Sequence, residues 1–456
     1  MLIVGGNQSA AGYDIDNSLR FDDGSSDYLN RTYGTPTNNK IWTLSFWVKR
    51  TELGREQHIL NGGGQQFYFS SGDVLAFGDT GGTQLVTSQV FRDVSAWYHI
   101  IYATDTTQAT DSDRVKMYVN GTQVTSFSTS TYPTINSSSS WNTASTAYYI
   151  ARYNPAPSGL YWSTYLSETY FIDGQALGPT SFGEFDEDSG VWKPIAYTGT
   201  YGTNGFYLEF KDSSALGDDT SGNTNDFTVN NLTSIDQTTD TPTNNFCTMN
   251  PLDNNYFGGT FSDGNTTVLS ASSPFTYCTS TLGVSAGKWY IEAKWTSGSN
   301  LRFGIVNTPS TATNDNPGND AGEAVYRSDG AIVLNGVEIG GYGSSFAPGD
   351  ILSIALDCDN SKIYFAKNGV YQASGVPSAG TGGTVITDVT TLASGNYFFA
   401  FGDNDAGATS TVSYNFGNPP FTISSGNADG DGYGNFEYTV PSGYYSLCTK
   451  NLAEYG

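Results

Sequence analysis

The sequence predicts an all-β chain, two antiparallel β-sandwich (jelly-roll) domains in tandem, and three observations carry that prediction. Short alternating or aromatic-rich runs recur along the chain, each closed by Gly, Asn or Asp. The 456 residues include 54 glycines and many Ser, Thr and Asn, which leave little room for helices. No long stretch shows an amphipathic helical period, and the length allows two or three cores.

In the first half the runs are SLRFDDGSSDYLN, WTLSFWVKR, HILNGG, QFYFSSGDVLAFGD, AWYHIIYATD, DRVKMYVNGTQV, AYYIARYN and STYLSETYFIDGQAL. Their spacing predicts antiparallel strands. Through LRF, LSFWVKR, WYHI, VKMYVNG and YFIDGQ the series resembles the LamG-like, concanavalin-type jelly roll over roughly residues 12 to 180. FYLEF, 206–210, reads as a late strand returning to the same sandwich. Residues 182–232 read as a segment that buttresses it, giving a first domain of 1–232. In TSIDQTTDTPTNN apolar periodicity stops, which predicts a linker at 233–245.

The second half is clearest in GDILSIALDCDNSKIYFAKNGVY, 349–371. Leu352, Ile354, Leu356 and Cys358 alternate with Ile351, Ser353, Ala355 and Asp357, which predicts a strand with one apolar and one small or polar face. Asp359, Asn360 and Ser361 suit a turn, Lys362 to Lys367 returns with Ile363 and Phe365 on one face, and Asn368-Gly369 suits a second reversal. The segment resembles the SPRY domain. GKWYIEAKW, LRFGIV, YRSDGAI, YFFAFGD, VSYNFGNPPF and VPSGYYSLCTKNL stand in that family's order, so 246–456 is expected to be a SPRY-like sandwich. The resemblance implies partner recognition through loops, without chemistry of its own.

Forty-four acidic against 19 basic residues give a net charge of −25. Phosphate contacts would be scarce and long-range repulsion strong, which excludes nucleic acid and anionic membranes as expected partners. The start, MLIVGGNQSAAGY, has no basic region and only a short apolar run, so neither a signal peptide nor a membrane span is expected. Cys247, Cys278, Cys358 and Cys448 form no CxxC pair, which argues against zinc. Buried thiols are the default reading and a Cys247–Cys448 disulfide the alternative, because NFCTMNPL echoes SLCTKNL and suggests that the ends of the second domain lie together.

Catalytic motifs are scarce. His58 and His99 sit in strand-like runs and read as packed core residues, and no GxSxG, HExxH or Walker sequence occurs. Gly62 to Gly64 lacks a following Lys-Ser/Thr and reads as a loop. Glu184, Asp186 and Asp188 in GEFDED imitate the acidic strand of laminarinase-like glycosidases, but Asp stands where the acid Glu belongs. The competing reading is an exposed acidic turn, and no enzymatic activity is expected.

Sugar recognition combines aromatic faces with amide and carboxylate groups. Tyr161, Trp162 and Tyr165, beside Pro155, Pro157 and Gly159, are the candidate ligand-binding aromatics; with 31 Tyr and 8 Trp in the chain, burial in the core is the alternative. Asp111 and Asp113 are the candidate Ca2+ ligands, because LamG-like domains often hold a calcium at the rim. Asp403 and Asp405 form another acidic pair, and Asn427, Asp429 and Asp431 mimic half a calcium loop that has Tyr438 where Glu would complete it.

A LamG-like module followed by a SPRY-like one resembles structural proteins of tailed bacteriophages. The resemblance implies a non-enzymatic protein of the virion surface, a capsid decoration or a tail appendage or fibre component, made in the host cytoplasm. Its expected partners are other virion proteins and host-surface glycans, with homo-oligomers set by the particle. A secreted or cell-surface bacterial lectin or adhesin is the second reading, and a glycosidase the third.

Overall fold

The computed structural model describes residues 12–79, 82–153, 160–253, 258–271, 276–308, 316–403 and 407–456. Pro155, Pro157, Gly159, Asp405 and the first eleven residues lie outside that set. Apart from a terminal helix, Thr449–Tyr455, and short 3-10 turns, the described residues form strands and loops. The chain divides into two compact units, one ending at Asn245 and the other running from Phe246 to Gly456.

The first unit pairs two eight-stranded antiparallel sheets. One is centred on the long strands Ile41–Arg50, Trp97–Asp105 and Thr164–Asp173. The other runs in the order Phe127–Thr131, Gln84–Val90, Val74–Asp79, Gln65–Phe69, Gln57–Gly62, Ala147–Ile150, Tyr28–Thr32, Thr228–Asn230. Alternation decides what lies between them. Trp42, Leu44, Phe46 and Val48 project from the first sheet toward Phe67, Phe77, Leu60 and Ile150 of the second, in one continuous core.

The first sheet has a second, outward set of large side chains, and residues beyond the jelly roll bury it. Trp47, Trp97 and Tyr165 pack with Ile15 and Trp192, while Ile101, Tyr170 and Ile172 pack with Phe182, Leu177, Tyr197 and Tyr207. We call this the covered sheet and its partner the open sheet. FYLEF contributes the strand Phe206–Leu208, which pairs with Thr164–Asp173 as expected. The buttressing segment also adds Thr228–Asn230 to the edge of the open sheet.

Buried polar groups fasten these layers. Asp173, at the end of its strand, accepts hydrogen bonds from the Thr37 and Asn38 amides at 2.7 and 3.1 Å, the Asn204 amide at 3.0 Å and Asn142 Nδ2 at 2.6 Å. Three loops distant in sequence therefore converge on one carboxylate. Glu168 sits at positive φ in a bulge of the same strand and accepts from the hydroxyls of Tyr13, Tyr170 and Tyr207.

The expected linker at 233–245 is instead part of the first unit. Gln237–Thr238 pairs with Ser18–Phe21. Asp240 meets Lys49 Nζ at 2.8 Å, with 1 % and 0 % of the two side chains exposed, and also accepts from Trp97 Nε1 at 3.2 Å. The polar composition that suggested a linker reflects a segment whose Asp240 and Asn245 side chains satisfy the buried Lys49 ammonium on the outward side of the sheet.

The second unit packs a nine-stranded sheet, built around Lys288–Ser297, Ile351–Asp357 and Thr411–Asn415, against a six-stranded sheet built around Tyr397–Asp403 and Leu301–Val306. Its pairing is antiparallel except where Tyr445–Ser446 joins Lys288–Ser297. Leu352, Ile354, Leu356, Ile363 and Phe365 enter the core as their alternation predicts. The small or polar face of Ile351–Asp357, which its alternation would leave to solvent, is also covered: Ala355 packs with Tyr290, Tyr364, Phe436, Val440 and Tyr444. Asn368 and Gly369 both take positive φ, 48° and 76°, as their hairpin turn requires.

All four cysteines are buried as thiols. The echoed motifs do meet, since Phe246 bridges Cys448 and the Cys247 amide donates to Leu447 O at 3.0 Å, so the ends of this unit lie side by side. The pairing is made by backbone and not by sulfur.

Removing one member of a buried ion pair leaves an uncompensated charge, which costs about 3–5 kcal/mol. Asp240→Ala is therefore expected to shift the unfolding of the first unit by that amount in urea titrations of the full chain. A dispensable linker would give no shift.

Candidate functional site

Because the outward side of the covered sheet is blanketed, the outward side of the open sheet is where the first unit presents side chains. Register places them. Gln84, Gly78, Gln66, Asn61, Tyr149, Asn30 and Thr228 are successive cross-strand partners and form one transverse row. The adjacent rung, Leu85, Phe77, Phe67, Leu60, Ile150 and Leu29, points the opposite way and is fully in the core. A period of two thus separates an apolar inner face from an amide-and-tyrosine outer one.

Aromatic rings flank the row. Tyr68 stacks on His58 at 5.0 Å, and Tyr28 approaches Tyr149 and Tyr161 at 6.3 and 5.8 Å. Arg152 bridges Tyr161 through a strand-like backbone pair and lies over the Tyr28 ring at 4.6 Å. Neighbouring hydrogen bonds hold the amides: Asn230 Nδ2 donates to Asn30 Oδ1 at 2.8 Å, Gln66 Nε2 to the Tyr153 hydroxyl at 3.4 Å, and Asn61 Nδ2 to Arg152 O. Tyr28, Asn30, Gln66, Tyr68 and Tyr149 remain half-buried, with part of each side chain open to water. Beyond Gln66 and Tyr68 a shallow depression of about 310 Å³ reaches Gly64, Gly78, Asp79 and Gln84.

A tight turn makes this edge approachable. Gly63 and Gly64 both have positive φ, and a Cβ on Gly63 would stand 2.0 Å from Ser140 O. The glycine run is a hairpin turn and not a phosphate cradle.

The candidate aromatics separate. Tyr161 belongs to the outer face, beside Tyr28 and Arg152. Trp162 is 4 % exposed, packed against His58 and beneath Arg55, and Tyr165 is fully buried under the covering segment on the opposite sheet. Neither of the last two presents a ring to a ligand; alternation around a β-strand sends consecutive residues to different layers, so the cluster in sequence is not one in space. Tyr28, Tyr68, Tyr149, Asn30 and Gln66 were missed, although Gln66 and Tyr68 alternating with Phe67 and Phe69 is the signal that marks them.

The acidic candidates do not fit a cation. Asp111 and Asp113 lie on an exposed 3-10 turn, where Asp113 pairs with Lys116 at 3.1 Å and Asp111 Oδ1 accepts from the Ser112 amide. Two monodentate carboxylates, one already neutralised, fall far short of the six to eight oxygens of calcium. Among the described residues no group of three or more His, Cys, Asp or Glu side chains could hold a metal. Asp429 has both oxygens engaged, one by the Asp431 and Tyr433 amides of its own turn and the other by the Ser446 amide and Asn451 Nδ2. Asp403 is buried and accepts from Ser270 Oγ at 2.7 Å.

The glycosidase-like series forms a hairpin, Gly183–Phe185 with Trp192–Pro194. Lys193 lies 3.3 Å from Glu184 and 3.2 Å from Asp186. The Ser189 amide and hydroxyl, with Lys193, hold the Asp186 carboxyl down to about 2, so it carries no proton to donate near neutrality. His99 is sealed between Trp47 and Trp192, with ring centroids at 4.7 and 6.0 Å. Trp192 Nε1 donates to its Nδ1 at 2.9 Å, which places the imidazole proton on Nε2, 2.9 Å from Ser45 Oγ. Burial pushes its pKa down to about 3. This neutral histidine anchors the covering segment.

Residues 23–175 match the concanavalin A-like lectin/glucanases superfamily, and residues 288–402 match the SPRY domain. The chain carries these two modules in tandem. No curated protein matches it. Among solved structures it is similar to the SPRY domain of human HERC1, with 17 % identity, 33 % of this chain and 87 % of that chain covered, and a TM-score of 0.26. It is also similar to the heptameric SAP-like pentraxin of Limulus polyphemus, at 15 %, 36 %, 80 % and 0.27 in the same order. A candidate carbohydrate-binding protein of Bacteroides ovatus gives 13 %, 48 %, 59 % and 0.34.

The buried His99 gives a pH signature with a definite sign. Its neutral form is the folded one, so its contribution is complete above the unfolded pKa of about 6.5 and declines by about 1.4 kcal/mol per unit as pH falls toward 3. His99→Phe orphans the Trp192 N–H and is expected to destabilise the first unit by roughly 1–3 kcal/mol at pH 8. In urea titrations the variant and parent are expected to converge between pH 6.5 and 4; a constant gap would disprove the neutral anchor.

Proposed function

We propose that this chain is a non-catalytic binding protein whose first sandwich takes carbohydrate on the outer face of its open sheet, and that it is displayed on a virion surface. The transverse row of amides centred on Tyr149, on the one outward face that the covering segment leaves bare, carries the reading. Amides bond sugar hydroxyls while tyrosine faces cover the apolar side of a pyranose, and both groups here are held in place before a ligand arrives. The match of residues 23–175 to a lectin and glucanase superfamily supports the same ligand class. A non-catalytic role is supported by the acidic hairpin, whose carboxylates are tied to Lys193, and by two histidines sealed among aromatic rings.

The virion placement rests on the order of the two modules, which resembles that of tailed-phage structural proteins, and on an acidic surface suited to a soluble particle. In this reading the SPRY domain docks onto other virion proteins while the first sandwich faces host glycans. A lectin or adhesin of a bacterial surface would use the same face, and labelling of purified particles with antibody against the chain separates the two.

Tyr149→Ala is expected to weaken glycan-array and titration signals roughly tenfold, the effect of removing about 1.4 kcal/mol of stacking. Phe185→Ala, which trims an exposed ring on the hairpin Gly183–Phe185, is expected to leave binding unchanged. Equal loss from both variants, or from neither, would remove the open face as the site.

A further inference from the structure

Arg152 stands apart from every other arginine of the chain. Each of the others donates from its guanidinium to a carboxylate, a side-chain amide or a backbone carbonyl. Arg152 has no such partner among the described residues, and its Nε is buried without an acceptor. With 44 acidic side chains against 19 basic ones, carboxylates are the most abundant charged groups this protein has. One arginine left without any, on the face that presents sugar-binding chemistry, is an arrangement that calls for an outside partner.

The surroundings hold the guanidinium without neutralising it. Its Cζ lies 4.6 Å from the centroid of Tyr28, 5.2 Å from Tyr149 and 5.7 Å from Tyr161. Ring faces attract a cation through their quadrupole and fix its position, but they leave the N–H groups in the guanidinium plane unused. Those N–H groups form a fork that matches the paired oxygens of a carboxylate or a sulfate ester.

We infer that the glycan taken by the open face carries an anionic group, a carboxylate or sulfate ester, which seats on Arg152 between Tyr28, Tyr149 and Tyr161. This rests on the carbohydrate reading above and narrows it. The net charge of −25 narrows it further. At physiological ionic strength fields decay over about 8 Å, so a contact at Arg152 survives, whereas the repulsion exerted by a strongly acidic chain grows with every further charge that a polyanion carries. The ligand is therefore an oligosaccharide with isolated acidic groups set among neutral sugars.

The test is a glycan array in which each carboxylated oligosaccharide is printed beside its methyl ester and each sulfated one beside its desulfated form, followed by titration of the strongest pair. Binding is expected to favour the charged member, and the favoured pairs identify whether carboxylate or sulfate is the source. Arg152→Met is expected to reduce the charged-to-neutral affinity ratio roughly tenfold to a hundredfold, while Arg152→Lys, which keeps the charge and loses the fork, retains part of it. Equal binding of both members of every pair, or an unchanged ratio in Arg152→Met, overturns the anionic group and leaves the carbohydrate reading standing. Absence of any glycan signal ends both.

Discussion

A sheet sandwich has one shared core and two outer faces, and the fate of those outer faces governs everything else in the first unit. Its long central strands bear large side chains on both sides: Trp42, Leu44 and Phe46 inward, Trp47, Trp97 and Tyr165 outward. Such a sheet is not stable in water until its second face is covered, since fully burying a large apolar side chain contributes roughly 1.5–3 kcal/mol. The segment that follows the jelly roll supplies the cover. Its attachments are specific, with Trp192 on His99, Asp240 on Lys49 and the Tyr207 hydroxyl on Glu168. The partner sheet needs no cover, because its outward rung is Gln, Asn, Tyr and Gly. One sheet thereby has both faces committed to packing, while the other keeps a polar face that packing does not use.

The acidic composition takes on a different meaning once the carboxylates are placed. Asp173, Glu292 and Asp429 are buried, and each accepts from backbone amides of at least one segment outside its own: Thr37, Asn38 and Asn204 on Asp173, Glu437 and Tyr438 on Glu292, and Ser446 on Asp429. Burial pushes the Glu292 carboxyl up, against the Glu437 and Tyr438 amides, which favour its charged form. In both units, then, an aspartate or glutamate does for long irregular loops what a metal or a disulfide does in many small extracellular domains. This accounts for acidic turns that imitate a calcium loop in sequence while their oxygens are already occupied.

Much of the architecture was legible because alternation is a local signal. Strand pairs such as Ile351–Asp357 with Lys362–Lys367, the Asn368-Gly369 turn and the meeting of NFCTMNPL with SLCTKNL all follow from residues near one another or from a repeated motif. What escaped was set by distant residues. Alternation cannot reveal that Ala355 is covered by Phe436 and Val440, or that polar residues 233–245 answer a buried Lys49. The site shows the same limit: Tyr161, Trp162 and Tyr165 are adjacent in sequence, but only register across strands brings Tyr28, Tyr149 and Tyr161 around Arg152.

An open sheet face and a deep pocket solve recognition differently. Asn30 and Gln66 of the outer row are already bonded to their neighbours and the tyrosines are half-buried, so at these positions little side-chain freedom remains to be lost when a ligand arrives. Yet a flat platform covers only one side of a sugar chain and leaves the other in water, which limits the surface removed from solvent and hence the affinity of a single copy. Strong attachment from such a face has to come from many copies engaging one surface together, where each further contact becomes intramolecular and avidity rises by orders of magnitude without any new interaction. A modest, preorganised platform is thus the kind of site that gains most from display on a particle, and the shape of the face and the proposed place of the protein support one another.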